Sequence, residues 1–161
     1  NSTDGSLQVA VDAMSAASHP HAFLGINSDG QSCVVRTTGN ADTHIVLRGG
    51  GGKSNYSRAD VAYTQVLMED ASAKSRPILV DCSHANSNKD FSRQPQVFES
   101  VLGQFIGGTK SILGVMLESH LVEGRQALSE NLTYGQSITD GCIGWESTEE
   151  CILKAYELLG K

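Results

Sequence analysis

Four side chains able to do chemistry stand at the end of, or shortly after, a short apolar run. Arg48 follows "THIVL", His84 closes "PILVDCSH", Glu118 follows "ILGVML", and Asp140 sits in the Gly-rich "SITDGCIGW". One imidazole and two carboxylates brought to one point offer mixed nitrogen and oxygen ligation. That set suits manganese, iron or cobalt, with zinc also in range. The planar fork of Arg48 matches a carboxylate or a phosphate. Each residue also has an ordinary reading. A lone histidine at a strand end is more often a hydrogen-bonding group than a ligand. Glu118 could be a solvated carboxylate, Asp140 could cap the turn before "GCIGW", and Arg48 could serve a surface ion pair. Cys82 competes for a metal because it shares a strand face with His84, although packing is its more usual role. His19, His21, His44, His120 and Glu123 are read as ordinary polar residues.

The stretch "LRGGGGKS" from Leu47 imitates a phosphate-cradling loop. A P-loop needs its first glycine five positions before the glycine of the closing G-K-S, and it runs directly into a helix. Leu47 occupies the place of that first glycine, and Asn55 and Tyr56 separate Ser54 from the next helix signal. That signal is Ser57 as an N-cap with Asp60 three residues on. What remains is an arginine leaving a strand into a flexible loop.

Four apolar runs must hold these residues: "HAFLGIN", "HIVLRGG", "PILVDCSHAN" and "SILGVMLES", starting at His21, His44, Pro77 and Ser111. Their β-branched and aromatic residues, bounded by Gly, Pro, Ser or Asn, read as buried strands. Between them lie amphipathic segments. Val9, Val11, Ala13 and Met14 share one helical side, as do Val61, Val66 and Leu67, and then Phe98, Val101, Leu102, Phe105 and Ile106. A last helix over "STEECILKAYELLG" would take Ser147 as N-cap, with Glu149 and Glu150 in its first turn. The strand starts recur at roughly the 31 residues per unit of an eight-unit, 250-residue barrel. "SCVVRTT", a Gly39-Asn40 turn and the following strand read as a hairpin inserted in this pattern. The expected class is α/β with a parallel sheet. Four such strands would leave apolar faces uncovered, so the chain reads as part of something larger.

Composition narrows the function classes. With 12 basic and 18 acidic residues the net charge is −6, and the basic residues are scattered, which argues against nucleic-acid binding. No run approaches a membrane span of about 18 apolar residues, and no secretory signal opens the chain. The 4 cysteines form no C-x-x-C pair and read as reduced thiols of a cytoplasmic protein. Periodicity and spacing alone stop at an α/β protein with an anion and metal site.

Longer motifs carry more. "VLRGG", "DCSHANSNKDFSRQP", "GVMLESHLVEG", "YGQSITDGCIGWE" and the opening "NSTDGSLQVAVDA" resemble 3-deoxy-D-arabino-heptulosonate-7-phosphate (DAHP) synthase of the microbial type I class, the first enzyme of the shikimate pathway. The resemblance runs from Asn1 to Lys161. It implies a (β/α)8 TIM barrel in chains about twice this length. This chain would be its second half, strands 5–8 with their helices and an inserted β-hairpin, with residues 1–161 as one part of a single domain. In that family a lysine ends the fourth strand within a motif like "FKNGTDG". Asn1-Ser2-Thr3-Asp4-Gly5 matches the residues just after that lysine, and the last residue is Lys161. Both ends fit cleavage after lysine, so a clipped protein or a fragment is expected, inactive without the N-terminal half as its partner.

The resemblance further implies a condensation of phosphoenolpyruvate with erythrose 4-phosphate that releases inorganic phosphate. By matching motifs His84, Glu118 and Asp140 would be three of four metal ligands, for manganese first and for iron, cobalt or zinc as alternatives. The fourth ligand, a first-strand cysteine, lies outside this chain. Arg48 would bind phosphoenolpyruvate, and Asp140 would also orient a hydroxyl of erythrose 4-phosphate. An aromatic amino acid would inhibit from a site around Phe23, Gly25 and Val35. Glycine at position 25 goes with tyrosine as the effector and serine there with phenylalanine, although Gly25 could simply be a tightly packed strand residue. A homo-oligomer, dimer or tetramer, is implied as well. Two alternatives stay open: a catalytically incomplete fragment with a structural or regulatory role, and the related eight-carbon sugar-acid synthase that uses arabinose 5-phosphate.

Overall fold

The structure, a computed structural model, describes residues 1–71 and 77–160; Lys161, on which the cleavage expectation partly rested, lies outside them. Helix α1 (Leu7–Ala17) begins at Ser6, whose hydroxyl accepts from the Val9 N–H, and buries Val11 and Met14. Strands β1 (Ala22–Ile26), β2 (Ser32–Arg36) and β3 (Ile45–Leu47) follow. Helix α2 (Arg58–Asp70) carries the capping box foreseen at Ser57 and Asp60, each side chain pairing with the other's backbone N–H. Strand β4 (Ile78–Asp81), a 3-10 turn at Phe91–Arg93, helix α3 (Gln94–Ile106) and strand β5 (Ile112–Met116) complete the alternation. Two short strands, β6 (Val122–Arg125) and β7 (Gln136–Ser137), precede helix α4 (Trp145–Leu159).

Strands β3, β4 and β5 form one parallel sheet in that spatial order, with Ile45 opposite Ile78 and Ile78 opposite Ile112. Leu47, Ile78 and Val80 are fully buried and join Val61 of α2 and Val97 and Val101 of α3 in one core. Residues alternate between the faces of a strand, so Asp81 leaves β4 on the face opposite Val80. That second face is thinly covered among the described residues: Met116, opposite Asp81, is 44% exposed.

Four expectations are corrected. "HAFLGIN" is not a fourth parallel strand: β1 pairs antiparallel with β2 in its own sheet, Phe23 opposite Val35 and Gly25 opposite Cys33. The turn between them is built by Asn27, whose side-chain oxygen accepts the N–H groups of Asp29 and Gln31, with Gly30 at a positive φ of 76°. A strand buried on both faces cannot expose Leu24 and Ile26 as β1 does. The hairpin therefore closes at Asn27–Gln31 and not at Gly39-Asn40. Gly39 has another duty: a Cβ there would stand 2.4 Å from the Ser18 carbonyl oxygen, so glycine lets the chain pass the end of α1. Finally, α4 starts two residues before Ser147, with Gly144 as its N-cap and no side-chain cap. The helix begins early because Ile143 is already fixed by pairing with Ser119, and only Glu146 lies in the first turn. Val9 and Val66, expected to face inward, are mostly exposed, while Thr64 and Met68 hold the inner face of α2.

Candidate functional site

Parallel strands in register put their C-terminal ends side by side. Arg48 directly follows β3, while His84 and Glu118 follow the ends of β4 and β5. Asp140 comes from further along the chain and is brought in by clips between two segments. Ser119 pairs with Ile143 and Gly124 with Cys142, and the Ile143 N–H donates to the Glu118 carbonyl.

His84 Nε2 lies 3.6 Å from Glu118 Oε1 and 3.9 Å from Asp140 Oδ2. One ligand atom from each of the three residues lies within 4.8 Å of the others. Ligand atoms about 2.0–2.3 Å from a shared ion stand roughly 3–4 Å apart. The two His84 separations are thus too wide for strong hydrogen bonds and fall in that range. The donor set of one imidazole and two carboxylates fits manganese, iron or cobalt. The two strand-end residues are partly buried, at 29% and 28% side-chain exposure, whereas Asp140 is 69% exposed.

The turn that carries His84 is held firmly. His84, Asn88 and Lys89 all have positive φ, near 50–60°, a conformation that costs non-glycine residues and persists only under restraint. The restraint comes from Asn86, 2% exposed, whose amide donates to the carbonyls of Leu47 and Asp81. The Lys89 N–H also donates to the His84 carbonyl at 2.7 Å.

Arg48 opens a neighbouring cavity of about 440 Å³, lined also by Thr3, Gly50 to Gly52, Ala85, Asn88 and Lys89. Its backbone is fixed by Asn1, whose side-chain oxygen accepts the Arg48 N–H at 2.9 Å, and Asn55 accepts the Gly49 N–H at 2.7 Å. The glycine run turns back on itself, with Gly50 and Lys53 exchanging backbone hydrogen bonds, and reaches α2 only after Ser57. It is not a P-loop. Sequence reasoning missed Lys89 and Asp81. Lys89 stands in a polar turn with no periodicity to flag it; its only signal is a position five residues after His84. Asp81 hides in an apolar run, although its distance of three residues from His84 could have marked it.

On the hairpin, Phe23, Gly25 and Val35 do come together. A Cβ on Gly25 would stand 2.7 Å from Val35 Cγ2 and 3.9 Å from Phe23 Cε2. Cys82 is fully buried in the core, and burial pushes its thiol up to about 12, with the Asp81 charge adding to the shift. It packs; it does not join the candidate ligands. Alkylation of the folded protein with iodoacetamide at mild alkaline pH is expected to leave Cys82 unlabelled while half-buried Cys33 reacts. Peptide mapping showing Cys82 labelled as fast as Cys33 would contradict this assignment.

The family model described as DAHP synthetase I family matches residues 1–152. The chain is 49% identical over 161 residues to a Tyr-sensitive phospho-2-dehydro-3-deoxyheptonate aldolase of Enterobacter agglomerans, covering 98% of this chain and 74% of that one. It is 48% identical to the Tyr-sensitive aldolase of Escherichia coli K12, covering 98% of this chain and 44% of the relative. The Phe-sensitive aldolase of the same strain is 50% identical over 151 residues, covering 92% and 43%. A solved structure of the Francisella tularensis SCHU S4 aldolase superposes with a TM-score of 0.94 at 38% identity, covering 99% of this chain and 47% of that one. The chain thus spans less than half the length of three of these four proteins.

Proposed function

Because the chain belongs to the DAHP synthetase I family, matched over residues 1–152, we propose that it forms the C-terminal half of a TIM-barrel DAHP synthase. The reaction condenses phosphoenolpyruvate with erythrose 4-phosphate to give DAHP and inorganic phosphate. The observation that carries this reading is the convergence of His84, Glu118 and Asp140 within 4.8 Å beside the Arg48 cavity. In this reading those three residues hold a divalent ion, manganese foremost. When bound, the ion supplies Lewis-acid polarisation of the aldehyde.

The chain's own residues do the rest of the positioning. The Arg48 fork holds an anionic group of phosphoenolpyruvate, and Lys89 adds a second positive charge to the same cavity. Glycines at positions 50 to 52 keep that cavity free of side chains. The anion is thereby oriented so that its C3 faces the aldehyde carbon, which makes the encounter effectively unimolecular. The new bond joins those two carbons, water adds at C2, and phosphate departs. Asp140, the most exposed of the three acidic and imidazole groups, orients a hydroxyl of erythrose 4-phosphate. The uncovered Met116, opposite Asp81, supports a missing half that closes the barrel, and the resemblance assigns the fourth ligand to that half. The 161 residues alone are then a catalytically incomplete fragment.

An assay of the full-length protein carrying this sequence tests the reading. Condensation is expected with erythrose 4-phosphate, with arabinose 5-phosphate a poor substitute, and chelation should remove activity that manganese restores. Preference for arabinose 5-phosphate would assign the eight-carbon synthase instead, and activity untouched by chelation would remove the metal role.

Regulation is argued from the hairpin, since identity to Tyr-sensitive and Phe-sensitive relatives is nearly equal. At Gly25 a Cβ would press on Val35 Cγ2 at 2.7 Å, so a serine there would displace Val35, and the resemblance ties glycine at this position to tyrosine as the effector. Tyrosine is expected to inhibit the full-length protein at lower concentration than phenylalanine, and Gly25→Ser to reverse that order. Stronger inhibition of the unaltered protein by phenylalanine would refute the Gly25 argument. The exposed Leu24, Ile26 and Val34 of the same hairpin support a homo-oligomer, and four free thiols support a cytoplasmic setting.

A further inference from the structure

Asp81 is 4% exposed, and a carboxylate that far from water is costly unless both oxygens are satisfied. Both are. Oδ1 accepts the Ser83 N–H at 2.8 Å, and Oδ2 lies 2.8 Å from His84 Nδ1. An ionised carboxylate only accepts hydrogen bonds, so Nδ1 carries the proton. With Nδ1–H directed at Asp81, Nε2 is the ring nitrogen that can offer a lone pair. Nε2 is the atom that faces Glu118 Oε1 and Asp140 Oδ2.

Glu118 is constrained in the same way. The Ser83 hydroxyl donates to Oε2 at 2.6 Å, which leaves Oε1 as the oxygen turned toward Nε2. Fully buried Gln94 clamps the main chain beneath it: its oxygen accepts the Glu118 N–H at 2.8 Å, and its amide donates to the Glu118 carbonyl at 3.1 Å. Ser83 thus bridges the two devices, its N–H on Asp81 and its hydroxyl on Glu118.

We propose that Asp81 and Ser83 are the positioning residues of the ion site. Asp81 fixes His84 as the Nδ1–H tautomer so that Nε2 is the ligand atom, and Ser83 restricts Glu118 to ligation through Oε1 alone. This rests on the metal reading above. Outer partners of this kind orient first ligands, and their loss typically weakens an ion about 10–100-fold.

The test uses the full-length protein, with manganese affinity measured by competition against a fluorescent chelator. Imidazole ¹⁵N shifts of the ion-free protein report the His84 tautomer, and the visible spectrum of the cobalt-substituted protein reports coordination. Asp81→Ala is expected to weaken manganese about 10–100-fold and to mix the His84 tautomers. Asp81→Asn has one acceptor for two donors: with its oxygen on the Ser83 N–H, its NH2 faces Nδ1, so it should shift His84 toward the Nε2–H tautomer and weaken manganese about 10–100-fold. Ser83→Ala frees Glu118 Oε2, so Glu118 can ligate with both oxygens and the cobalt band should weaken as coordination number rises. A folded Asp81→Ala with wild-type affinity and an unmixed tautomer overturns the Asp81 assignment. Should Asp81→Ala fail to fold, wild-type affinity in Asp81→Asn overturns it equally. An unchanged cobalt spectrum in Ser83→Ala overturns the Ser83 assignment. No ion binding by the unaltered protein overturns the metal reading itself, an outcome distinct from these.

Discussion

Replacing His84 with alanine is expected to weaken divalent-ion binding by more than about 100-fold, the upper range for removing a mere outer partner. His84 contributes the only nitrogen of the candidate set, and its Nε2 is the atom both carboxylates face. Without it, two carboxylates remain, and only Glu118 is partly buried. The fold should survive, because holding alanine at a φ of 51° costs at most about 1–2 kcal/mol. The turn also keeps its Asn86 bonds to Leu47 and Asp81. Asp81 loses one partner, an expected stability cost of about 1–2 kcal/mol that water entering the vacated space limits. Titration calorimetry with manganese on the full-length variant decides this. Affinity within a few-fold of the unaltered protein would remove His84 from the ion site.

Gly50→Ala is expected to destabilise the protein by about 3 kcal/mol, the upper end of ordinary overpacking. A Cβ at position 50 would stand 2.2 Å from the Gly5 nitrogen and 2.9 Å from the Thr3 carbonyl oxygen. Both are backbone atoms and cannot rotate aside. The 3–5 segment would have to retreat, carrying Thr3 away from the Arg48 cavity it lines. Gly52 supplies the control. A Cβ there meets nothing within 4 Å, although its φ is +76°, so Gly52→Ala carries only the left-handed backbone cost of roughly 1–2 kcal/mol. Chemical denaturation of the pair separates space from conformation. Equal stability of the two variants would show that the close approach at Gly50 is not what holds the segment.

The sequence made the strand ends legible because β-branched runs stop abruptly at Arg48, at the "CSH" after Asp81, and at Glu118. Parallel alternation then places such ends together. The capping box at Ser57 was legible because its chemistry is local. Where tertiary contacts chose between local options, reading failed. "HAFLGIN" has strand composition, but only its partner decides whether a strand enters the parallel sheet or a hairpin. The turn that closes the hairpin does carry an Asp-Gly signature at Asp29-Gly30, a local signal passed over in favour of Gly39-Asn40. Ser147 is a good cap in isolation, yet the pairing of Ile143 with Ser119 starts the helix earlier. Asp81 was invisible because a buried carboxylate inside an apolar run has meaning only once its partners are known.

The clips that bring Asp140 beside Glu118 have a thermodynamic consequence. The three candidate ligands come from segments far apart in the chain, so no unfolded or half-folded state holds them together. Closing those intervals costs loop entropy that only the completed sheet and the paired 118–124 and 142–143 segments offset. An ion held by all three therefore binds the native state alone and adds about 2.7 kcal/mol to stability at a hundredfold excess over its dissociation constant. Ion occupancy then becomes a gauge of folding: whatever loosens the far end of this chain is felt first as a loss of ion affinity.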